Sequence, residues 1–213
     1  MNIIPTINVK TKEEAELAIE KLKLIEPAWV QFDISDGRFS ETVSWNNPKE
    51  AMEIISLILP NVLVEAHLMV QDQKTNACAW IDVGVGRVIV HSEALDGETF
   101  GFINEYAKKH NAHVMVALSP DTNIEVINKF NGVNEVQVLA VHPGPSGQEF
   151  IPSVVEKIKE LKKINPRFYI EVDGGMNKET IQLVRGVGVD GVAMGAYLSK
   201  SNDIVGSFKE LFQ

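Results

Sequence analysis

The sequence predicts an α/β fold, a (β/α)8 TIM barrel built as a single compact domain with short loops over residues 1–213. Three observations lead there. Short apolar runs alternate with longer amphipathic ones eight times along the chain. The short runs are continuously apolar, the pattern of strands covered on both faces in a parallel sheet. The length of 213 residues suits one sizeable core and is short for two ordinary domains. Eight strand–helix units in that length leave room only for minimal loops. A doubly wound open sheet uses the same units and stands as the alternative. No linker, low-complexity stretch or composition break marks a second domain.

The elements follow in order. Asn2 to Asn8 reads as the first strand, shortened or bent by Pro5, which cannot donate to a ladder. Thr11 caps the first helix, and Glu14 three residues on completes a capping box. Ala15, Leu17, Ala18, Leu22 and Ile25 form its apolar face, and Pro27 marks its end. Trp29 to Ile34 is the second strand. A longer loop runs to about Asn47, a helix enters at Pro48, and Pro60-Asn61 breaks it. Val62 to Met69 is the third strand, residues about 73–83 a helix, Arg87 to His91 the fourth strand, and Glu98 to His110 a helix. His113 to Leu118 is the fifth strand, stopped by Ser119-Pro120, with a short helix over Asn123 to Phe130. Val136 to Val141 is the sixth strand, Pro152 to Lys163 a helix, and Phe168 to Val172 the seventh strand. Asn177 to Val187 is a helix, Gly191 to Met194 the eighth strand, and Asp203 to Phe212 the last helix.

Bulk properties narrow the function. Hydrophobic residues are 45% and charged residues 23%, an ordinary globular composition. A net charge of −9 with no basic stripe argues against nucleic acid. The single cysteine, Cys78, lies in a helical stretch and reads as a buried structural thiol. No apolar run approaches the ~20 residues of a spanning helix, and the first ten residues lack a signal pattern. The expectation is a cytoplasmic enzyme or binding protein with no membrane partner.

In such a barrel the chemistry sits at the carboxyl ends of the strands. The second strand offers Gln31, Asp33 and Asp36, the third Glu65 and His67, the fourth His91 and Glu93. The first offers Thr6 and Asn8, and the sixth is followed by His142. Asp33 and Asp173 come from strands far apart in a ring and could face one another across its mouth. Opposed carboxylates can remove a proton from one face of a carbon and return one to the other. His67 between them could bind a metal or polarise an oxygen. Three glycine-bearing turns follow late strands: Gly144-Pro145-Ser146-Gly147, Gly174-Gly175 and Gly195-Ala196. Backbone amides in such turns hold a phosphate without a basic side chain.

These residues resemble the ribulose-phosphate 3-epimerase family from end to end. The likeness runs through Pro5-Thr6-Ile7, Asp33 to Phe39, His67-Leu68-Met69-Val70 and Val90 to Ala94. It continues through Val141 to Phe150, Ile170 to Gly175 and Gly195-Ala196. The resemblance implies that Asp33 and Asp173 are catalytic acid and base at C3 of ribulose or xylulose 5-phosphate. It implies a divalent metal (Zn, Fe, Mn or Mg) held by Asp33, His67, Asp173 and the position of Gln31. Thr6, His67, Met69, Gly144, Pro145, Ser146, Gly147, Gly174, Gly175, Gly195 and Ala196 are the implied substrate contacts. It further implies a small phosphorylated sugar as substrate and a homo-oligomer, a dimer or larger.

The chain departs from the family around this site. Gln31 stands where the family has a metal-binding histidine, so the metal is expected to be held weakly or not at all. Ser35 and Leu139 replace methionines, Thr6 a serine, and Pro145-Ser146 the usual Phe-Gly. The alternatives are an epimerase, isomerase or lyase for another phosphorylated ketose, or an inactive phosphosugar-binding protein.

Overall fold

The computed structural model describes residues 1–213. Its eight parallel strands close into a barrel in sequence order. They are β1 (Asn2–Ile7), β2 (Trp29–Ser35), β3 (Leu63–Met69), β4 (Arg87–His91), β5 (His113–Leu118), β6 (Glu135–Leu139), β7 (Tyr169–Asp173) and β8 (Gly191–Met194). Pairing of β1 with β8, from Asn2 opposite Gly191 to Pro5 opposite Met194, makes the closure and excludes the open sheet. Pro5 is accommodated inside β1. Around the barrel lie α1 (Lys12–Leu22), α2 (Pro48–Ile58), α3 (Gln73–Asp82), α4 (Gly97–Lys109), α5 (Val154–Ile164), α6 (Thr180–Arg185), α7 (Ala196–Ser199) and α8 (Ile204–Glu210). No helix is long and apolar enough to cross a membrane.

Local chemistry sets the helix starts. Thr11 Oγ1 accepts from the Glu14 N–H at 3.3 Å, while the Glu14 carboxylate accepts from Lys10 N–H at 2.7 Å, one residue before the cap. The capping box is therefore shifted rather than reciprocal. Asn47 caps α2, with Pro48 at its first position. The buried face of α1 runs through Ala15, Ile19 and Leu22. That spacing of four and three is a helical stripe, and Leu17 falls off it, 73% exposed. Leu17 is thus not a core residue as expected.

Three other expectations change. The connection from β5 to β6 is a 3-10 helix over Ile124–Lys129. α6 begins at Thr180 because the Asn177 side chain accepts from the Glu179 and Thr180 N–H groups, turning the preceding residues into a cap. α7 gives no sequence signal, since four residues are too few to show a period. Cys78 is half-buried in α3, and burial, with Asp82 nearby, raises its thiol pKa, consistent with an unreactive thiol.

The main apolar core lies between the strands and the helices. Inside the barrel the filling is different. A small apolar group, Ile89, Met115 and Ala117, shares the space with buried Gln31, Glu65, Arg87, Gln137 and Glu171. Side chains alternate along a strand, so Gln31 and Asp33 both point inward, as do Glu65 and His67, and Glu171 and Asp173. Register places Gln31 beside Glu65 and Asp33 beside His67 on β2 and β3.

Arg87 organises this interior. Its Nη1 lies 2.6 Å from Glu65 Oε2 and 3.4 Å from Glu171 Oε2, and its Nε lies 2.7 Å from Glu135 Oε2. The rings of Trp29 and Tyr169 flank the guanidinium, with centroids at 4.7 and 4.8 Å. Burial, and Glu171 beside it, push Glu65 well above the usual carboxylate range. Burial raises Glu171 to about 7 against the pull of Arg87.

Removing one partner from such a cluster strands the others. Arg87→Met is expected to cost about 3–5 kcal/mol, measured by chemical denaturation. A loss under about 1 kcal/mol would show that the glutamates do not need the guanidinium.

Candidate active site

The carboxyl ends of β2, β3 and β7 bring Asp33, His67 and Asp173 together. His67 Nδ1 lies 3.4 Å from Asp33 Oδ1 and 3.3 Å from Asp173 Oδ2. Gln31 Nε2 donates to the same two oxygens, at 2.7 and 2.8 Å. Asp33 Oδ2 meets only Asn8 Nδ2, at 3.5 Å. Gln31 is fully buried, His67 nearly so, and Asp33 is 8% exposed. Two carboxylates this close in a dry site repel, so their neighbours must supply positive charge or N–H donors. Burial and Asp173 raise the Asp33 pKa, and His67 opposes them. Burial disfavours charge on His67, but hydrogen bonds to Asp173 and Asp33 outweigh it and raise that group to about 10.

A second histidine lies outward. His67 Nε2 is 2.9 Å from His91 Nε2, with the rings stacked at 5.0 Å. His91 Nδ1 is 3.3 Å from Glu93 Oε2. Burial, with charged His67 beside it, pushes His91 down to about 4, so it is neutral. The network then assigns the protons. His91 donates from Nδ1 to Glu93, and its bare Nε2 accepts from His67 Nε2–H. Glu93 Oε1 accepts from Ser119 N–H at 2.9 Å and from Thr122 Oγ1–H. Against the effect of burial, the bonds to His91, Thr122 and Ser119 hold Glu93 down at about 2. His91 and Glu93, left without a role by the sequence, thus support His67.

Above the acids opens a cavity of about 340 Å³. Thr6, Asp33, His67, Met69 and Asp173 line one part. Gly144 to Gly147, Gly174-Gly175 and Gly195-Ala196 line another. Every residue expected to touch substrate therefore borders one cavity. Gly174 has φ +104° and Gly175 φ +64°, a region that favours glycine. A Cβ on Gly174 would collide with Val141, and one on Gly175 would lie 2.5 Å from Phe150 N. The two glycines let the β7 loop press directly against the segment from Val141 to Phe150. No lysine or arginine lines the cavity. The Lys200 ammonium, however, lies 3.4 Å from where a Gly147 Cβ would be. Lys200 was not anticipated, because it lies beyond the β8 motif.

Other groups fall away from the site. Asp36 accepts from the N–H groups of Arg38, Phe39 and Gln71 at 2.8, 3.0 and 2.8 Å, and so folds its own loop. His142 borders the cavity but is exposed, 3.7 Å from Asp121. His113 pairs with Glu135 at 2.6 Å, and His110 Nδ1 lies 2.8 Å from the Tyr106 carbonyl, near the end of α4.

Asp33, His67 and Asp173 each offer one ligand atom, all within 4.8 Å of one another, so the group could hold a metal ion. Two carboxylate oxygens and an imidazole nitrogen suit zinc, iron or manganese. Gln31 does not fit the expected fourth place. Its nitrogen faces the acids, and its oxygen accepts from Gln137 Nε2 at 2.9 Å. An oxygen in the nitrogen's place would stand against two carboxylate oxygens. Gln137 was missed because it sits as one polar residue inside an apolar strand.

Comparison with known proteins gives a consistent picture. The model of the ribulose-phosphate 3 epimerase family matches residues 2–199. A ribulose-phosphate 3-epimerase of Chlamydia trachomatis is 31% identical over 182 residues, 82% of this chain and 76% of that protein. One of Bacillus subtilis is 30% identical over 184 residues, 82% of this chain and 81% of that one. Among solved structures, 3-hexulose-6-phosphate synthase from Salmonella typhimurium superposes with a TM-score of 0.75 at 17% identity, covering 99% of this chain and 96% of its own. 3-keto-L-gulonate-6-phosphate decarboxylase from Vibrio cholerae also gives 0.75, at 11% identity, with 99% and 95% covered. At those identities the structural matches show a shared barrel.

Glu93 supplies a test by pH. Its folded pKa of about 2 lies below the ordinary 4.5, so its contribution is present above about 4.5 and is lost as pH falls toward 2. Glu93→Gln is expected to be less stable than the parent at pH 6, with the gap narrowing as pH falls from 4.5 toward 2, read from thermal unfolding. A gap independent of pH would place the effect in packing instead.

Proposed function

We propose, from the premise that the chain belongs to the ribulose-phosphate 3-epimerase family, that it interconverts ribulose 5-phosphate and xylulose 5-phosphate by proton transfer at C3. One observation supports this above the others. A buried carboxylate from β2 and a half-buried one from β7 share a cavity floor with a histidine hydrogen-bonded to both. Phosphate binding alone needs no such pair. The sugar phosphate would place its phosphate among the glycine turns and its C3 over the acids.

The chain's own groups divide the work. Gln31 and His67 occupy Asp33 Oδ1 and Asp173 Oδ2. That leaves Asp33 Oδ2 and Asp173 Oδ1 to take and give the C3 proton. One carboxylate removes the proton and the other returns one to the opposite face. The roles exchange when the reaction runs backward, as microscopic reversibility requires. The raised Asp33 pKa makes it a better base than a solvated aspartate. His67 donates from Nδ1 toward both acids and is itself held by His91, which fixes its ring. A divalent metal held by Asp33, His67 and Asp173 would bind only with the His67 Nδ1 proton released, and would supply a Lewis acid beside the ketose oxygens. Met69 and Thr6 fill the wall next to the sugar. The donor set favours zinc, iron or manganese, with magnesium the fourth metal the family resemblance implies. The reading includes a cytoplasmic homo-oligomer, a dimer or larger, without nucleic-acid or membrane partners, in keeping with the net charge of −9.

The phosphate would carry a charge of about −2 into an acidic protein. Lys200 beside Gly147 is the cation placed to meet it.

Deuterium incorporation at C3 of ribulose 5-phosphate in D2O tests the reaction. Asp33→Asn and Asp173→Asn are each expected to slow it by roughly 10²–10⁴. No incorporation by the parent protein with any of the four metals supplied would overturn the reading. Lys200→Met should raise KM roughly tenfold with kcat within about twofold, and Lys200→Arg should restore KM. An unchanged KM at low salt would remove Lys200 from the phosphate site.

A further inference from the structure

We propose that Gln137 is a positioning residue for the acid pair, because it locks the Gln31 side-chain amide with its nitrogen facing Asp33 and Asp173. This deepens the epimerase reading and rests on it for its kinetic arm.

The lock follows from counting donors. A glutamine amide has two N–H donors and one oxygen. Gln31 uses both donors on carboxylates, Asp33 Oδ1 at 2.7 Å and Asp173 Oδ2 at 2.8 Å. Its oxygen accepts from Gln137 Nε2 at 2.9 Å. Gln137 uses the same nitrogen on Glu171 Oε1, also at 2.9 Å. Glu171 is in turn held by Arg87 Nη1 at 3.4 Å. Gln31, Gln137 and Glu171 are all fully buried, so water cannot replace a lost partner.

Each amide can be turned over in principle, but here each turn fails. Reversing Gln31 alone sets its oxygen against two carboxylate oxygens and its NH2 against the NH2 of Gln137. Reversing both relieves the contact between the two amides but keeps the Gln31 oxygen against the acids and adds the Gln137 oxygen against Glu171. The direction of the chain is therefore fixed at both ends, by Arg87 and Glu171 on one side and by the acids on the other. Gln137 Oε1 has no partner at all. An unpaired buried oxygen is a cost, and a leucine at this place would avoid it. The useful part of Gln137 is its nitrogen.

Two consequences reach the cavity. The inner carboxylate oxygens are held, so the outer ones are aimed at the substrate. A Gln31 locked this way also cannot turn its oxygen toward a cation held by Asp33, His67 and Asp173.

The test uses the full chain carrying Gln137→Met, with Gln137→Leu as a second filling of the same space, Gln31→Met, and the double variant Gln31→Met/Gln137→Met. Kinetics come from C3 exchange. Solvent exchange of the Gln31 side-chain NH2 protons comes from ¹⁵N spectra of the parent and the Gln137 variants, with exposed Gln213 as the internal reference. We expect Gln137→Met to lower kcat about tenfold or more with KM within about twofold. The double variant should lose no more than Gln31→Met, since Gln137 acts through Gln31. In the parent the Gln31 NH2 protons should exchange at least 100-fold more slowly than those of Gln213, and in Gln137→Met they should approach it. Additive losses, or an unchanged kcat in a folded Gln137 variant, would overturn the proposal. So would parent Gln31 protons exchanging as fast as those of Gln213, a result that needs no variant to fold. If the parent shows no C3 exchange, the epimerase reading fails, and the amide protons alone decide on the lock.

Discussion

Two like charges held side by side in a nearly dry site set the terms for everything else in this barrel. Asp33 and Asp173 share His67 Nδ1 and Gln31 Nε2 at 2.7 to 3.4 Å. Neither neighbour is free to leave. His67 is held by His91, and His91 by Glu93. Gln31 is held by Gln137, Gln137 by Glu171, and Glu171 by Arg87. The support thus runs outward along one route and down the barrel axis along another. A barrel interior is ordinarily filled by branched apolar side chains. Here much of that volume is given to polar groups, at a cost in desolvation that their mutual hydrogen bonds and ion pairs must offset.

The strands, their order and the helix caps were legible because each depends on neighbours in sequence. Thr11, Asn47 and Pro48 act within a few residues, and a continuous apolar run needs no partner to be recognised. Asp33 and Asp173 were legible because a carboxylate at the end of a buried strand is conspicuous. Leu17 was misjudged because Ile19, not Leu17, centres the stripe. The 3-10 turn after β5 and the four-residue α7 were too short for periodicity. The orientation of Gln31 was out of reach for another reason. Which end of an amide faces a site depends on a donor 106 residues away and an acceptor 142 residues away in sequence.

The solved structures that superpose well act on different phosphosugars or related compounds by their names, yet share the barrel at 11–17% identity. A fold of this kind fixes where chemistry can occur and leaves open which chemistry. What distinguishes this chain is local. The Gln31 amide faces the acid pair, and Pro145-Ser146 stands in a loop that also meets Lys200. These features gather in or against one cavity and do not disturb the strand register below it.

The contact between the β7 loop and the segment after β6 has a consequence for redesign. Gly174 and Gly175 have no room for a Cβ against Val141 and Phe150. Ala140 N–H donates to the Asp173 carbonyl at 2.7 Å, and Ile151 N–H donates to the Ala140 carbonyl at 2.8 Å. The backbone carrying one acid and the loop that lines the cavity are therefore a single mechanical part. Residues 140–151 cannot be exchanged as a cassette for a loop from another barrel while residues 173–175 stay in place. The transferable module is the pair, and a graft that ignores this would shift Asp173 along with the loop.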